Sequence, residues 1–455
     1  MAASSRTSLV LCLAPLAAAC APEVALEAPP QVRSAGWSRA IPAAPEAAAD
    51  LGALLGSAEL AGLIARAKAA NVDLAIAGTR VGQARALLRA ARGTMLPVVT
   101  AAGGVSGART ERTADPFDFS DAFGGLDVAF ELDLFGAGRA ERSAASERLR
   151  AAEYDRSAVA LAVEAEVARS YVQRAALAAR IALVDRNLAQ AVELERVIAA
   201  RLRAGAATRV DLGLQTIQVR RLEAERVRLL QALDRTRTAL AVLLGEEAPS
   251  FVLEPAPLEA LAARAPATLQ PAELIARRPD VRAAEARIGA AGGDVDQARA
   301  AFLPRIRLSA GGLGEAASLS GPLGTTFQVG ADLLAPIFNR GRLRGQLDFA
   351  AARQSEAVEL YRQALLTALA ESEDALSAVE RSRSREALLR SVVEEARLTA
   401  RLARLQYLEG AADLERLLDA EQFLVAAEDA LAVARQEQVE AVIDLFRAMG
   451  GSPAV

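Results

Sequence analysis

The chain of 455 residues contains nearly the same segment twice. The recurring residues are Arg80, Gly82, Arg92, Leu96 and Pro97, which match Arg287, Gly289, Arg299, Leu303 and Pro304. The displacement is about 207 positions, so the repeat is about half of the chain long. Within each copy the pattern predicts a helix, two strands, a long helix, a turn and a return helix. We therefore expect one body built from two equivalent halves rather than unrelated domains.

The N-terminus is typical of a secretory signal, predicted to span residues 1–19. Arg6 is its one basic residue, and an apolar stretch runs from Leu9 to Ala19. Leu16-Ala17-Ala18-Ala19-Cys20 resembles a bacterial lipobox, which predicts that Cys20 becomes the acylated first residue. The alternative is ordinary cleavage near Ala19 or Ala21, which would leave a free thiol.

Composition excludes several classes of function. The chain has no histidine and only two cysteines, one of which, Cys12, lies in the predicted signal. A serine–histidine nucleophile and a zinc site of the usual cysteine–histidine kind are thus excluded. The net charge of -4 is spread along the chain, which argues against nucleic-acid binding. We expect no catalytic residues, no metal and no cofactor.

Alternation of apolar and polar residues predicts two pairs of strands. The clearest strand places Leu126, Val128, Phe130, Leu132 and Leu134 on one face and acidic residues on the other. Its length of about nine residues matches one tilted membrane crossing. The polar stretches Thr110–Asp121 and Glu315–Thr325 are predicted to be loops in water. The residues expected to line a pore are Asp127, Glu131, Asp133, Arg305 and Arg307.

Four strands cannot close a barrel in lipid, because an open sheet edge is not tolerated there. The chain must therefore form an oligomer. Three copies would give an even twelve strands, although two or four copies are also compatible with the sequence.

Each strand pair precedes a very long predicted helix, from about Ala140 to Arg203 and from about Leu343 to Leu408. At about 1.5 Å per residue each spans roughly 95 to 100 Å. Apolar residues recur near every 3.5 positions, which indicates coiled-coil packing. Gly205 and Gly410 predict turns into return helices, about Val210–Leu244 and Leu414–Met449. The shorter helices, Leu60–Met95 and Asp280–Phe302, would complete these returns end to end.

Arg277, Arg278, Pro279 and Asp280 form a helix start in which proline and aspartate occupy the first turn. With Val281, Ala284-Glu285 and the strand entry Ala300–Pro304, this motif resembles the outer membrane factor family of TolC and OprM type channels. Further similar segments are Asn71-Val72-Asp73-Leu74, Glu131–Gly136, Pro336-Ile337-Phe338, Tyr407–Gly410 and Leu417–Ala420. The resemblance covers nearly the whole mature chain.

The resemblance implies a mainly α-helical, tandem-repeat TolC-like fold with a small transmembrane β part. Three chains would contribute four strands each to a barrel of twelve, continued by a long periplasmic α-helical barrel. The duct would dock a periplasmic adaptor and an inner-membrane pump, and would carry drugs or other small molecules out through the outer membrane. Its periplasmic tip would be closed by contacts between helices. The residues expected to take part in that gate are Arg201, Arg203, Arg209, Asp211, Glu409, Asp413 and Glu415.

These patterns predict six segments. They are a signal peptide at 1–19, a lipidated tether at 20–54, a first repeat at 55–250, an equatorial linker at 251–278, a second repeat at 279–451 and a tail at 452–455. The sequence leaves two rival classes open. A periplasmic coiled-coil adaptor would share the lipobox and the helical hairpins, and a structural coiled coil would share the hairpins alone. The adaptor should lack two strand pairs of membrane-crossing length, and both the secretory signal and the alternating acidic strands count against the structural coiled coil.

Overall fold

The computed structural model describes Ala28, Pro30 and residues 36–38, 50–110, 117–266, 268–316 and 322–451. The predicted signal peptide, the lipobox with Cys20, most of the tether and the tail lie outside these residues. In the described part, the helices and strands follow the predicted order twice.

The first repeat contains α1 (Leu51–Leu55), α2 (Ala58–Ala70), α3 (Val72–Gly93), β1 (Val98–Thr110), β2 (Phe117–Leu132), α4 (Ala137–Arg203) and α5 (Arg209–Leu243). A 3₁₀ turn (Leu258–Ala260) and α6 (Pro271–Arg277) follow in the linker. The second repeat contains α7 (Pro279–Ala300), β3 (Arg305–Ala316), β4 (Gly324–Leu334), α8 (Arg340–Leu408) and α9 (Leu414–Ala448).

The chain divides into two compact units. The described helical and strand residues of the first unit lie within Thr79–Tyr154 and Ala283–Gln363. Its centre is a four-stranded antiparallel sheet in the order β1-β2-β3-β4, so β1 and β4 are free edges. The strands are 13, 16, 12 and 11 residues long, more than the predicted nine, and they extend into both predicted loops. Backbone pairing continues there because ladder hydrogen bonds do not require apolar side chains.

The second unit comprises Val32–Gly78, Asp155–Arg282 and Ala364–Val455. Its main core joins α1 and α2 to the middle of α4, the end of α5 and the end of α9. Leu55, Leu60, Leu240 and Phe446 are almost completely buried there. Burial of side chains of this size contributes about 1.5 to 3 kcal/mol each, and this core holds both repeats together.

The two long helices have 67 and 69 residues, and both return helices have 35. Leu177, Val184, Ala191 and Ile198 of α4 are buried at intervals of one heptad, as the apolar period predicts. Leu177 and Val184 pack against Leu229 of α5. The helices are therefore held by a coiled-coil seam rather than by helix propensity alone.

Glycines end both long helices, as predicted. Gly205 and Gly410 have φ values of 77° and 76° in the left-handed region. The amide of Ala206 donates to the Arg201 carbonyl, and the amide of Ala411 donates to the Gln406 carbonyl, at 2.8 and 2.7 Å. Both turns are thus closed like Schellman caps, in which glycine avoids the cost of a Cβ at positive φ.

The predicted helix Leu60–Met95 is wrong as a single element, because it is divided between α2 and α3 at Asn71. The side chain of Asn71 accepts from the Leu74 amide at 3.0 Å and donates to the Leu243 carbonyl at 2.9 Å. One polar residue therefore starts α3 and joins it to the end of α5. The second repeat has a comparable junction, where Gly450 lies against the backbone of Arg277.

The predicted boundary of the tether is also too late. Leu51 and Leu54 fall inside residues 20–54, yet they belong to α1 and are buried in the core. Farther upstream, the Trp37 indole donates to the Leu269 carbonyl at 2.7 Å, and Ser38 hydrogen-bonds to Glu373. The spacing of apolar residues did not reveal α1, because five residues are too few to display a helical period.

Candidate functional site

The register of the sheet separates its side chains into two faces. Val99, Val128, Ala310 and Val329 lie opposite one another in successive strands and therefore share a face. By the same alternation this face carries Ala101, Leu126, Phe130, Ile306, Leu308, Phe327, Ala331 and Leu333. The predicted alternation is confirmed: one side of the sheet is a continuous apolar surface.

The opposite face carries a row of charges at one end of the sheet. Glu131, Arg307 and Asp332 are direct cross-strand neighbours. Arg305 lies on the same face, and its Nε atom is 3.9 Å from Glu131 Oε1. The charges in this row alternate in sign, so each acid has a basic neighbour and the row is close to neutral.

Asp127 occupies a different environment on this face. Its cross-strand neighbours are Thr100 and Gly311, and Gln328 lies beyond Gly311. It forms no ion pair among the residues that the structure describes. Asp127 is therefore the one predicted pore-lining acid whose charge is not offset by a basic neighbour in the sheet.

Asp133 was predicted to line the pore as part of the strand, but it lies beyond the end of that strand. β2 ends at Leu132. The Asp133 carboxylate accepts hydrogen bonds from the backbone amides of Gly138 and Arg139 at 3.1 and 2.9 Å. An acid at the first turn of a helix satisfies amides that have no intrahelical partner, so Asp133 starts α4. The strand pattern extended too far because Leu134 continued the alternation by chance.

At the glycine turns, the two helical hairpins of one chain meet. The Arg201 guanidinium donates to the carbonyls of Tyr407 and Leu408 at 3.5 and 3.2 Å. It also lies over the Tyr407 ring, 4.7 Å from its centroid. A cation at a helix C-terminus is favourable because the last carbonyls are unpaired and carry partial negative charge. Arg201 therefore ties the end of α4 to the end of α8.

Two predicted gate acids serve as helix caps. Asp211 and Thr208 form a capping box at the start of α5. Asp413 is the N-cap of α9 and accepts from the Arg416 amide at 3.0 Å. Each carboxylate is therefore engaged with its own helix, a role that the sequence analysis did not assign to it.

The remaining gate candidates lie at the exposed surface of the same turns. Arg203 donates to the Ala199 carbonyl of its own helix at 3.4 Å. Arg209, Glu409 and Glu415 form no ion pair within the described part of a single chain. The structure thus brings the basic first turn and the acidic second turn to the same end of the second unit, without joining these three charges.

Deeper in the second hairpin, Glu421 of α9 forms no side-chain hydrogen bond with any other described residue. Burial raises its pKa, and the charge of Arg404 offsets only part of that rise. An unpaired carboxylate near the turns was not foreseen. Glu421 follows Gly410 at the same distance in sequence as Thr216 follows Gly205, so the two residues are equivalent in the two repeats. In the first repeat this position carries a hydroxyl, which donates to Glu195 at 2.5 Å. A carboxylate at the equivalent position of the second repeat was the available signal.

The motif at 277–280 forms an ionic junction at the start of α7. Arg278 is 7% exposed, and its guanidinium contacts Asp280 at 2.6 Å, Glu371 at 2.7 Å and the Ala448 carbonyl at 3.4 Å. Burial opposes the charged forms of Arg278 and Asp280. The hydrogen bonds and charges between the two residues outweigh this effect of burial, so the pKa of Arg278 is raised and that of Asp280 is lowered. Arg277 is exposed, and Pro279 is the first residue of α7.

Tyr407 was not predicted as a functional residue, although the segment Tyr407–Gly410 resembles the outer membrane factor family. Its position one turn before Gly410 places its ring beneath Arg201, and it packs with Ile198 and Leu417 at the end of the hairpins. Its proximity to the glycine turn was the available signal.

Across the described ranges, no helix is long and apolar enough to span a membrane. In the same part of the chain, no group of three or more histidine, cysteine, aspartate or glutamate side chains is placed to hold a metal ion.

Comparisons with known proteins agree with this architecture. Residues 63–246 and 271–451 match the model of the outer membrane efflux protein family. The pyoverdine export outer membrane protein OpmQ of Pseudomonas aeruginosa is 35% identical over 410 residues, which cover 87% of this chain and 86% of that protein. The toluene efflux pump outer membrane protein TtgI of Pseudomonas putida is 31% identical over 399 residues, or 85% and 83% of the two chains.

Solved structures share the fold. A membrane protein of Pseudomonas aeruginosa has a TM-score of 0.84 at 30% identity, over 95% of this chain and all of that one. The outer-membrane channel OprN has a TM-score of 0.83 at 28% identity, over 93% and 99% of the two chains. The fold is therefore the TolC-like one, with helical hairpins and a small β part. By the family match and the identity over most of its length, the chain belongs to the outer membrane efflux protein family and is an efflux duct of the outer membrane that extends into the periplasm.

Proposed function

We propose that three copies of this chain form a passive exit duct for small molecules, with no catalytic chemistry of its own. An inner-membrane pump would drive export through a periplasmic adaptor. The observation that carries this proposal is the sheet, with one apolar face, one polar face and two free edges. Lipid does not tolerate free edges, and three four-stranded sheets joined edge to edge make an even barrel of twelve strands.

Several relatives are named for what they export, among them pyoverdine and toluene. We propose a cargo of the same broad class, small organic molecules, whose identity is set largely by the pump. We also propose that Cys20 is acylated, which would fix the N-terminus to the membrane beside the barrel.

Fractionation tests the proposal. A complex of three chains that resists heating in detergent should be extracted from the outer membrane, and its native mass should be that of a trimer. A soluble periplasmic species would contradict the proposal and favour an adaptor. A membrane-bound monomer would contradict the twelve-stranded barrel.

We expect Asp127 to set the cation preference of the membrane pore. The polar face would line the pore, and of the predicted pore-lining acids within the sheet Asp127 has no basic cross-strand neighbour, whereas Glu131 has Arg307. Asp127→Asn should move the reversal potential in a salt gradient towards that of a nonselective pore, and the shift should shrink at high salt because screening lengths fall. The matched control is Glu131→Gln, whose basic neighbours would remain. A larger shift for Glu131→Gln would contradict this assignment.

We propose that the tip charges hold the duct closed. Combining Glu409→Ala with Asp413→Asn removes two acids while keeping the cap of α9, since asparagine caps a helix as well as aspartate does. Single-channel conductance in a planar bilayer should increase several-fold if the acids close the tip. Glu356→Ala, which removes an exposed acid of the first unit, serves as the control. Unchanged conductance of the double variant would refute the latch.

A further inference from the structure

The polar face of the sheet contains a small depression, which we call the Gly311 depression. Its residues come from two adjacent rows of the register across β2, β3 and β4: Asp127, Gly311 and Gln328 in one row, and Gly125, Leu313 and Thr326 in the next. The volume of the depression is about 180 Å³. Because glycine has no side chain, Gly125 and Gly311 form its floor.

Two polar side chains converge over Gly311. A Cβ atom built on Gly311 would lie 3.2 Å from Asp127 Oδ1 and 3.5 Å from Gln328 Nε2. A carboxylate of β2 and an amide of β4 therefore flank one glycine of the strand between them. Neither side chain forms a hydrogen bond or an ion pair with any other described residue. Both are therefore available to a group that enters the depression.

The chemistry of the depression favours a cation that carries N–H groups. An ionised carboxylate only accepts hydrogen bonds, and the Gln328 amide and the Thr326 hydroxyl can each accept another. Arg307, the nearest basic residue of the polar face among the described strands, is four residues from Gly311, or about 13 Å along β3. The charge of Asp127 is therefore available to a bound cation.

An apolar patch, formed by Leu313 and Phe123, adjoins the depression on the side away from Arg307. The two residues are diagonal neighbours on β3 and β2, and they are 40% and 42% exposed although they lie on the polar face. A Cβ atom built on Gly104 would lie 2.8 Å from the Phe123 ring, so the ring covers this glycine of β1. The patch can therefore receive a short carbon chain that leads out of the depression.

The size of the depression limits what it can hold. Pockets that enclose a whole drug-sized molecule measure about 300 to 1,000 Å³. A depression of about 180 Å³ accommodates one charged group and the first carbons attached to it. The rest of a larger molecule would remain in the open space beside the sheet.

We infer that the Gly311 depression binds the ammonium group of organic amines that pass through the duct. Asp127 accepts a charge-assisted hydrogen bond from the ammonium group. Gln328, with its amide oxygen turned inward, and Thr326 accept from the remaining N–H groups, and the carbon chain lies on the apolar patch. The inference rests on the proposed function, because the polar face lines a pore only in the assembled duct.

Block of the ion current tests the site. The purified trimer is placed in a planar bilayer in potassium chloride, and butylammonium is added at increasing concentration. Butylammonium should reduce the current more strongly than butyltrimethylammonium, which has no N–H group, and the uncharged analogue 1-butanol should not reduce it. Equal effects of butylammonium and 1-butanol would overturn the site.

Gly311→Ala is the decisive variant, because it fills the floor and retains the Asp127 charge. Gly311 does not have a positive φ, so alanine fits its backbone conformation. The concentration of butylammonium that halves the current should rise several-fold. The matched control is Gly124→Ala, on the apolar face of β2, where a Cβ atom meets nothing within 4 Å and the block should be unchanged. Equal block of the wild type and Gly311→Ala would refute the inference.

Asp127→Asn gives a second, independent readout that does not alter the floor. The half-blocking concentration of butylammonium should rise by about tenfold, as expected for the loss of one charge-assisted hydrogen bond. The effect on butyltrimethylammonium should be smaller. Equal weakening of both cations would mean that Asp127 acts only through the overall charge of the pore, and would overturn the site. A chain that forms no conducting trimer overturns the proposed function, whereas a conducting trimer whose block is insensitive to these variants overturns the site alone.

Discussion

Replacing Arg278 by alanine is expected to destabilise the protein by about 2 to 3 kcal/mol. The guanidinium is buried and satisfies Asp280, Glu371 and the Ala448 carbonyl at once. Without it, two carboxylates and the end of α9 lose their shared partner. The loss of stability is smaller than for a fully buried ion pair because the carboxylates of Asp280 and Glu371 are partly exposed. It should appear as a lower midpoint of thermal unfolding, measured by circular dichroism.

The neighbouring Arg277 provides the matched control. It has the same side chain and is adjacent in the motif, but it is exposed. Arg277→Ala should change stability by less than about 0.5 kcal/mol. Equal losses for the two variants would mean that the motif stabilises the protein through something other than the buried junction.

Gly245→Ala is the second substitution with a large expected effect, a loss of about 2 to 4 kcal/mol. Gly245 has a φ of 68°, which alone disfavours alanine. A Cβ atom there would also meet the Ala70 carbonyl oxygen and carbon well inside van der Waals contact. The backbone of the α2–α3 junction would have to shift to accommodate it, so the thermal midpoint should fall by several degrees.

Gly205→Ala isolates the conformational part of this cost. Gly205 has a φ of 77°, but a Cβ atom there meets nothing within 4 Å. Only the penalty for positive φ applies, about 1 kcal/mol. If both variants lose the same stability, the close approach of Ala70 is irrelevant and the junction between α5 and α2 is loose.

The periodic features of the fold could be predicted from the sequence because they repeat over many residues. The heptad of Leu177, Val184, Ala191 and Ile198 is one, and the alternation from Leu126 to Leu132 is another. Features set by a single residue were missed. Asn71 divides a helix through side-chain hydrogen bonds to the Leu74 amide just beyond the break and to the Leu243 carbonyl, which is remote in the sequence. The pattern of its immediate neighbours cannot reveal such a partner.

The candidate site divides in the same way. Gly205 and Gly410 were identifiable because only glycine suits the left-handed residue that follows a long helix. The roles of Asp211 and Asp413 were not, because a carboxylate beside a turn can cap a helix or pair with another chain, and sequence does not distinguish these. Arg201 was expected among the gate charges, but its partners are carbonyls and the Tyr407 ring rather than acids.

By itself, the sequence determined the duplicated plan, the strand faces, the lengths of the four hairpin helices α4, α5, α8 and α9, and the positions of the turns. These follow from local periodicity and from the backbone preferences of glycine and proline. Only the tertiary structure decided which charges are neutralised and which acids cap helices. Those properties depend on residues far apart in the chain, whose distances are set when the two repeats pack around one core.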